Sequence, residues 1–402
     1  MIHDAEVLIV GAGPAGLALA CALADAGLAV QVLEKQGVAA IEQPAEDGRE
    51  IALTHRARRV MERLGLWSAL PPDDVAPLNE ARVLDGDSPR TLRFAAEHGG
   101  ATGPLGWLVP NHRIRSAALS AARTRPAVSL QFDATVSALR RERSGATLEL
   151  ADGRRLSAAL VVAADSRFST LRRMAGIGAA MHDFGRSVVV GRVAHARDHG
   201  GVAWECFRYG NTLALLPLNR RRLSAVVTTS TDQARGWLEL PDEAFAARIE
   251  QQSGGRFGAM TAEGPRHHYP LVGTYAQHFV GERFALIGDA AVGMHPVTAH
   301  GYNFGLYGVE VLARELAAAR RGGRDPGAGP ALQTYEREHR RTTLPVWLGT
   351  NAVVTLFTDE RRLPRLARQA VLAVAEKAPL VGAWIKGSVA RQLTGMPGSA
   401  TR

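Results

Sequence analysis

The sequence predicts an α/β chain. A parallel sheet with crossing helices is interleaved with a mixed or antiparallel sheet, and C-terminal helices follow. Three observations predict this. A strand, a glycine-rich turn, a helix and a second strand fill the first forty residues. Four separated strand-like runs lie between Ser187 and Thr229. A last apolar strand ends in Gly288-Asp289, ahead of a long helix. With 402 residues, 46% of them hydrophobic and 22% charged, the chain is long enough for two or three domains around a large core.

Glu6 to Val10 is a short, continuous apolar run, as a buried parallel strand requires. Gly11-Ala12-Gly13-Pro14-Ala15-Gly16 follows, and Leu17, Ala20, Cys21 and Ala24 then recur at helical spacing up to Gly27. Leu28 to Leu33 is a second strand, closed by Glu34 and Lys35. In such a βαβ unit each glycine has a task. Gly11 allows the tight turn, Gly13 leaves room for a pyrophosphate, and Gly16 lets the helix lie close to the sheet. Helix N-terminal N–H groups, with Pro14 and Ala15 in the first turn, face the phosphates. Glu34 lies where a carboxylate accepts hydrogen bonds from a ribose. This Rossmann-like unit predicts dinucleotide binding without separating FAD from NAD.

Arg49, in Asp47-Gly48-Arg49, reads either as a partner of cofactor phosphate or as a surface charge. Arg56 to Leu64 is a helix stopped by Gly65, and Pro71 to Gly103 reads as loops and short strands. Arg113 to Arg123 is a helix carrying Arg115, a further cofactor-binding candidate. Leu130 to Leu150 and Arg155 to Ala163 read as strands, with Asp152-Gly153 as a hairpin turn. Asp165 ends the second of these runs, as a cofactor contact or as a helix cap.

Ser187–Val193, Ala203–Arg208, Thr212–Leu216 and Leu223–Thr229 are strand-like, and Asp242–Gln252 is helical. Arg283 to Ile287 is a buried strand running into Gly288-Asp289. A helix from Gly301 to about Arg320 follows, with Tyr302 and Asn303 in its first turn. Such a start directs N–H groups at an anion. Ala331–Leu356 and Arg361–Ala378 read as the terminal helices. The expected division is a discontinuous first domain of residues 1–70, 111–180 and 275–325. A second domain takes 71–110 and 181–274, and a helical region takes 326–402.

The net charge is +9, and only Lys35, Lys377 and Lys386 among the 48 basic residues are lysines. The basic clusters are short and lack interleaved aromatics, which argues against nucleic-acid binding. Cys21 and Cys206 are too few for a disulfide scaffold and too far apart for a zinc site, so no metal is expected. The uncharged stretch Val7–Ala24 contains the glycine turn, so it reads as strand and helix rather than a membrane span. The start shows no basic segment, and the expected location is cytoplasmic, with peripheral contact to the inner membrane a further expectation.

Taken in order, three motifs resemble those of the class A flavoprotein aromatic hydroxylases, FAD-dependent monooxygenases, over residues 5–385. They are Gly11–Gly16 with Glu34; Ala164-Asp165-Ser166-Arg167 with Leu171-Arg172-Arg173; and Gly288-Asp289-Ala290-Ala291 with His295-Pro296 and Gly301-Tyr302-Asn303. Within that family the chain looks most like the ubiquinone-biosynthesis hydroxylases, on Asp47-Gly48-Arg49, Leu64-Gly65-Leu66-Trp67, Leu213–Leu218 and Tyr269-Pro270-Leu271. The resemblance implies FAD, NADH or NADPH as reductant, and O2. It implies ring hydroxylation of a hydrophobic phenol or quinol through a flavin C4a-hydroperoxide. It also implies membrane or partner contact through the C-terminal helix. His295, Pro296 and His300 are the flavin-face candidates. An FAD-dependent hydroxylase of another phenolic substrate, or a flavin-dependent reductase or dehydrogenase of the same fold, is the alternative. Two positions depart from the family pattern. Ser166 replaces a glycine and is strained if φ there is positive. Thr298-Ala299-His300-Gly301 stands where the family reads Ala-Gly-Gln-Gly.

Overall fold

A computed structural model describes residues 3–85, 91–100, 102–208, 211–294 and 300–358. The expected helix Arg361–Ala378 lies outside the described residues. The first sheet is built on parallel strands whose spatial order is Phe284–Leu286, Arg155–Ala163, Ala5–Val10, Val30–Leu33 and Val128–Gln131. Val7, Leu8, Ile9, Leu160, Val161 and Val162 are fully buried in it, as strands covered on both faces must be. The helix Pro14–Asp25 lies against this sheet with Leu17 to Cys21 at zero exposure, which is why its sequence is apolar nearly all round.

The expected run Leu130–Leu150 is broken into three strands, Val128–Gln131, Val136–Glu142 and Gly145–Leu150, by turns the alternation did not show. The last of these pairs antiparallel with Arg155–Ala163 across a turn in which Gly153 has φ +87°. The helix expected from Arg113 begins at Asn111, directly after Pro110.

The second sheet is mostly antiparallel. Its order is Val292–Gly293, Met260–Ala276, Ala179–His195, Arg222–Ser230, Asn211–Leu218, Val202–Arg208, Glu80–Asp85 and Thr91–Ala95. Two of its strands have 17 residues each. The pattern Ser187–Val193 captured only the apolar middle of one. The other carries Pro265 and Pro270, which ordinarily speak against a strand; bulges in its ladder with Ala179–His195 accommodate them. Helices Thr231–Leu238 and Asp242–Gln252 cover one face, where Trp237, Phe245 and Ile249 meet Val189, Leu213, Leu215 and Val227.

A three-stranded sheet of Glu50–Leu53, Gly106–Pro110 and Ala76–Leu78 stands at the other face. Ala52, Leu78 and Leu105 there pack with Ala81, Ala203 and Leu216. The helices Gly301–Arg321 and Gly329–Thr358 pack on each other and, through the first, on the helix Pro14–Asp25. Cys21 and Cys206 are buried and unbridged.

Candidate active site

Four landmarks far apart in the chain meet at the carboxyl ends of neighbouring parallel strands. Gly11 follows the strand Ala5–Val10, Glu34 follows Val30–Leu33, Asp165 follows Arg155–Ala163, and Gly288 follows Phe284–Leu286. Backbone hydrogen bonds tie the four exits together: Gly11 N–H to Leu33 O at 2.7 Å, Ala164 N–H to Val10 O at 2.8 Å, and Ile287 N–H to Ala163 O at 3.0 Å. The crevice beyond such strand ends is where open α/β sheets bind ligands.

The glycine turn has the form a pyrophosphate needs. Gly11 sits at φ +111°, and a Cβ there would run into the Ala164 carbonyl. A Cβ on Gly16 would strike the Gly11 carbonyl. A Cβ on Gly13 would meet nothing within 4 Å, so the backbone there is open to a bulky partner. Glu34 is buried and braces the loop. Its Oε2 accepts from Ala12 N–H at 2.8 Å and its Oε1 from Gln36 N–H at 2.9 Å. Each carboxylate oxygen keeps a lone pair for a ribose hydroxyl. Pro14 and Ala15 form the first turn of the helix, and Lys35 is exposed at the rim.

The second motif resolves into a cap and a relay. Asp165 Oδ2 accepts from Leu171 N–H at 3.1 Å, while its buried Oδ1 has no hydrogen-bond partner among the described residues. It is therefore a helix cap with one oxygen to spare. Ser166 has φ +113°, the strained conformation expected if glycine belongs there. Arg167 spans the site, donating to Asp289 Oδ2 and to Val272 O, both at 3.0 Å. Arg172 is 3% exposed and donates to Ala290 O at 2.9 Å and Arg167 O at 3.2 Å. Burial lowers its pKa, and the Asp165 charge opposes that shift. Arg167 and Arg172 stand in the second motif but were not named as site residues, because an arginine near a turn does not by itself separate a site role from surface charge.

The third motif packs against the first. Gly288 has φ +57°, and a Cβ on it would lie 3.1 Å from that of Ala15. An ideal Cβ on Gly305, one turn into the long helix, would stand in ordinary contact with Gly288 Cα, at 3.5 Å. Gly301 begins that helix beside Asp289. Asn303 turns its side chain to the backbone. Its Oδ1 accepts from Thr54 N–H at 2.9 Å and its Nδ2 donates to Ala52 O at 2.8 Å. It thus clamps the helix start to the strand Glu50–Leu53. The hydroxyl of Tyr302 is buried without a hydrogen-bond partner among the described residues, and burial raises its pKa far above the usual range. His300 is the buried residue just before the helix, its ring 5.2 Å from that of Phe304. His295 and Pro296 lie outside the described residues.

Arg49 pairs with Asp47, Nε to Oδ2 at 2.9 Å, and lies over the Tyr269 ring. Burial pushes the Asp47 carboxyl up, but hydrogen bonds from Arg49 and Asn111 together hold it below its ordinary value. Arg115 is partly exposed on its helix. A cavity of about 200 Å³ opens between this loop and the second sheet, at Gly48, Val190, Arg192 and His267. Arg192 is fixed there by Glu46 and by Glu50 Oε1, the latter at 2.8 Å. Nothing in the sequence connected residues 46 and 50 with 192.

A parallel sheet with this glycine turn, acidic strand end and Gly-Asp helix junction defines a dinucleotide-binding protein. The chain belongs to the family described as FAD binding domain, which matches residues 4–346, and is a class A FAD-dependent aromatic hydroxylase. It is 42% identical to the ubiquinone hydroxylase UbiM of Neisseria meningitidis, over 98% of this chain and 86% of that one. It is 40% identical to the ubiquinone hydroxylase UbiL of Rhodospirillum rubrum, over 93% and 86%. Among solved structures, PqsL of Pseudomonas aeruginosa superposes with a TM-score of 0.77 at 23% identity, covering 90% of this chain and 98% of that one. The residues at the strand ends fit FAD. Bound there, FAD supplies the redox and oxygen chemistry; the chain binds, orients and shields it. The enzyme is a monooxygenase of aromatic or phenolic substrates.

Proposed function

We propose that the chain hydroxylates the ring of a polyprenyl phenol or quinol intermediate of ubiquinone biosynthesis, with NADH or NADPH as reductant and O2 as oxygen source. The observation that carries this reading is the 42% identity to UbiM along almost the whole chain. The apolar roof supports it: Val188, Val190 and Leu271 with Phe184, Val226 and Tyr269 form a cluster on the face of the second sheet turned away from the two covering helices. Such a surface suits a ring with a hydrocarbon tail and excludes water from the oxygen-transfer step. Arg167, Asp289 and Glu34 hold the cofactor. Tyr269, donating to Asp47 O at 2.5 Å, ties the roof to the loop of Arg49. No described helix is long and apolar enough to cross a membrane. In this reading the enzyme works in the cytoplasm, at the inner membrane surface where a polyprenyl substrate resides.

The test is the quinone profile of cells lacking the gene, read by mass spectrometry. An under-hydroxylated phenol should accumulate, and it should disappear on return of the wild-type gene but not of a Gly13→Ala variant. An unchanged quinone profile overturns the reading.

A further inference from the structure

The strand Val202–Arg208 presents alternate residues to opposite sides of the second sheet. Trp204 and Cys206 join the cluster beneath the two covering helices. Ala203 packs on the other side, against Leu78, Leu105 and Ala52. Glu205 shares the side of Ala203. Its cross-strand partners are Ala214 and Val83, and the same rung continues through Val226 to Val190. Glu205 is therefore a carboxyl set between Val83 and the apolar run Ala214, Val226 and Val190, on a rung that continues to Leu92 at one end and His267 at the other.

This face looks toward the helix start of the cofactor site. Ala52, which meets Ala203 there, accepts the Asn303 amide. The cavity at Gly48 and Val190 opens on the same face, three strands or about 14 Å from Glu205. No described hydrogen bond or ion pair holds the Glu205 carboxyl. Charged and titratable groups on the surrounding elements are engaged elsewhere. Arg192 is held by Glu46 and Glu50, His267 lies against Gly48, and His300 packs on Phe304. Burial alone pushes the Glu205 pKa up to about 8. At neutral pH the group is thus an uncharged acid, able to donate and to accept one hydrogen bond.

We propose that Glu205 is the anchor for the ring hydroxyl of the substrate, a positioning residue that decides which ring carbon is presented for oxygen transfer. This rests on the phenol or quinol reading above. A prenylated ring offers the roof nothing polar except its hydroxyls, and apolar packing alone does not fix the ring's rotation. A carboxyl on the apolar stretch from Val83 to Val190 does. A site built to bond a hydroxyl also rejects the analogue that cannot donate.

The test uses the FAD-loaded enzyme with 2-geranylphenol and its methyl ether. Dissociation constants are read from perturbation of the flavin absorbance, and hydroxylated products by mass spectrometry. Wild type should bind the phenol at least tenfold more tightly than the ether. Glu205→Gln keeps a donor and an acceptor and should retain that preference. Glu205→Leu should bind both within twofold and give a mixture of ring positions. Flavin content and circular dichroism verify that both variants are folded. If Glu205→Leu keeps the tenfold preference and a single product, Glu205 is not the anchor, while the phenol reading stands. If wild type binds neither compound, both fall together.

Discussion

Ser166 holds a backbone conformation that glycine adopts with less strain. Ser166→Gly should therefore stabilise the folded enzyme by about 1 kcal/mol despite the looser unfolded chain. Urea denaturation at fixed FAD concentration measures it; an unchanged or lower midpoint would refute the strain. The glycine turn makes a sharper pair. Gly13 has φ −73° and an open flank, so Gly13→Ala should fold normally yet lose FAD. Gly16→Ala drives a methyl into the Gly11 carbonyl and should give little folded protein. Circular dichroism and released flavin, measured on the same preparations, distinguish the two outcomes.

The junction between the Gly-Asp turn and the long helix separates holding a cofactor from holding a fold. The Asp289 side chain is 37% exposed and bonded to Arg167. Asp289→Ala should weaken FAD binding about tenfold or more, the loss of a charge-assisted hydrogen bond, with the circular dichroism spectrum intact. Arg172→Ala instead leaves the Ala290 carbonyl unpaired in the interior and should lower stability by about 1–3 kcal/mol. Flavin titration and denaturation of both variants check the division. These elements differ in how far the sequence revealed them. The helix Asp242–Gln252 was legible to the residue, because Pro241 and two acids open it and Phe245, Ala246 and Ile249 fall on one face. The glycine turn, Glu34 and Asp289 were legible because their chemistry demands particular residue types at fixed spacing. The strand Met260–Ala276 was not, since two prolines interrupt its pattern. Glu50 and Arg192 were not either, since partners 142 residues apart leave no local trace. For Glu205 a signal did exist: a single acid on the inward alternation of the run Ala203 to Phe207.

Protonation links the two sheets to stability with opposite signs. His339, on the C-terminal helix, is 1% exposed, its Nδ1 3.1 Å from the Tyr335 hydroxyl and its Nε2 3.2 Å from Phe304 O. Burial lowers its pKa from 6.5 to about 4. The unfolded chain takes up this proton below pH 6.5 and the folded one does not until about 4. Stability is therefore lost as pH falls through that window, by up to about 3 kcal/mol. Glu205 acts the other way. Folded, it keeps its proton to about pH 8 rather than releasing it near 4.5, so stability is lost as pH rises from 4.5 to 8. Melting temperatures from pH 4 to 9 should show the acid limb shallower in His339→Gln and the alkaline limb shallower in Glu205→Gln. Parallel curves for all three proteins would contradict both assignments.

The strand Phe284–Leu286 has a further consequence. It adds to the edge of Arg155–Ala163 in parallel, and Tyr335 secures it by donating to Leu286 O at 2.6 Å. A nascent chain emerging from the ribosome can close its first βαβ unit early, but the wall carrying Asp289 does not exist until residues beyond 335 have been synthesised. FAD capture therefore waits until the residues around Tyr335 have left the ribosome. Ribosome-stalled chains cut before residue 284 should capture no FAD, whereas chains extended past His339 should.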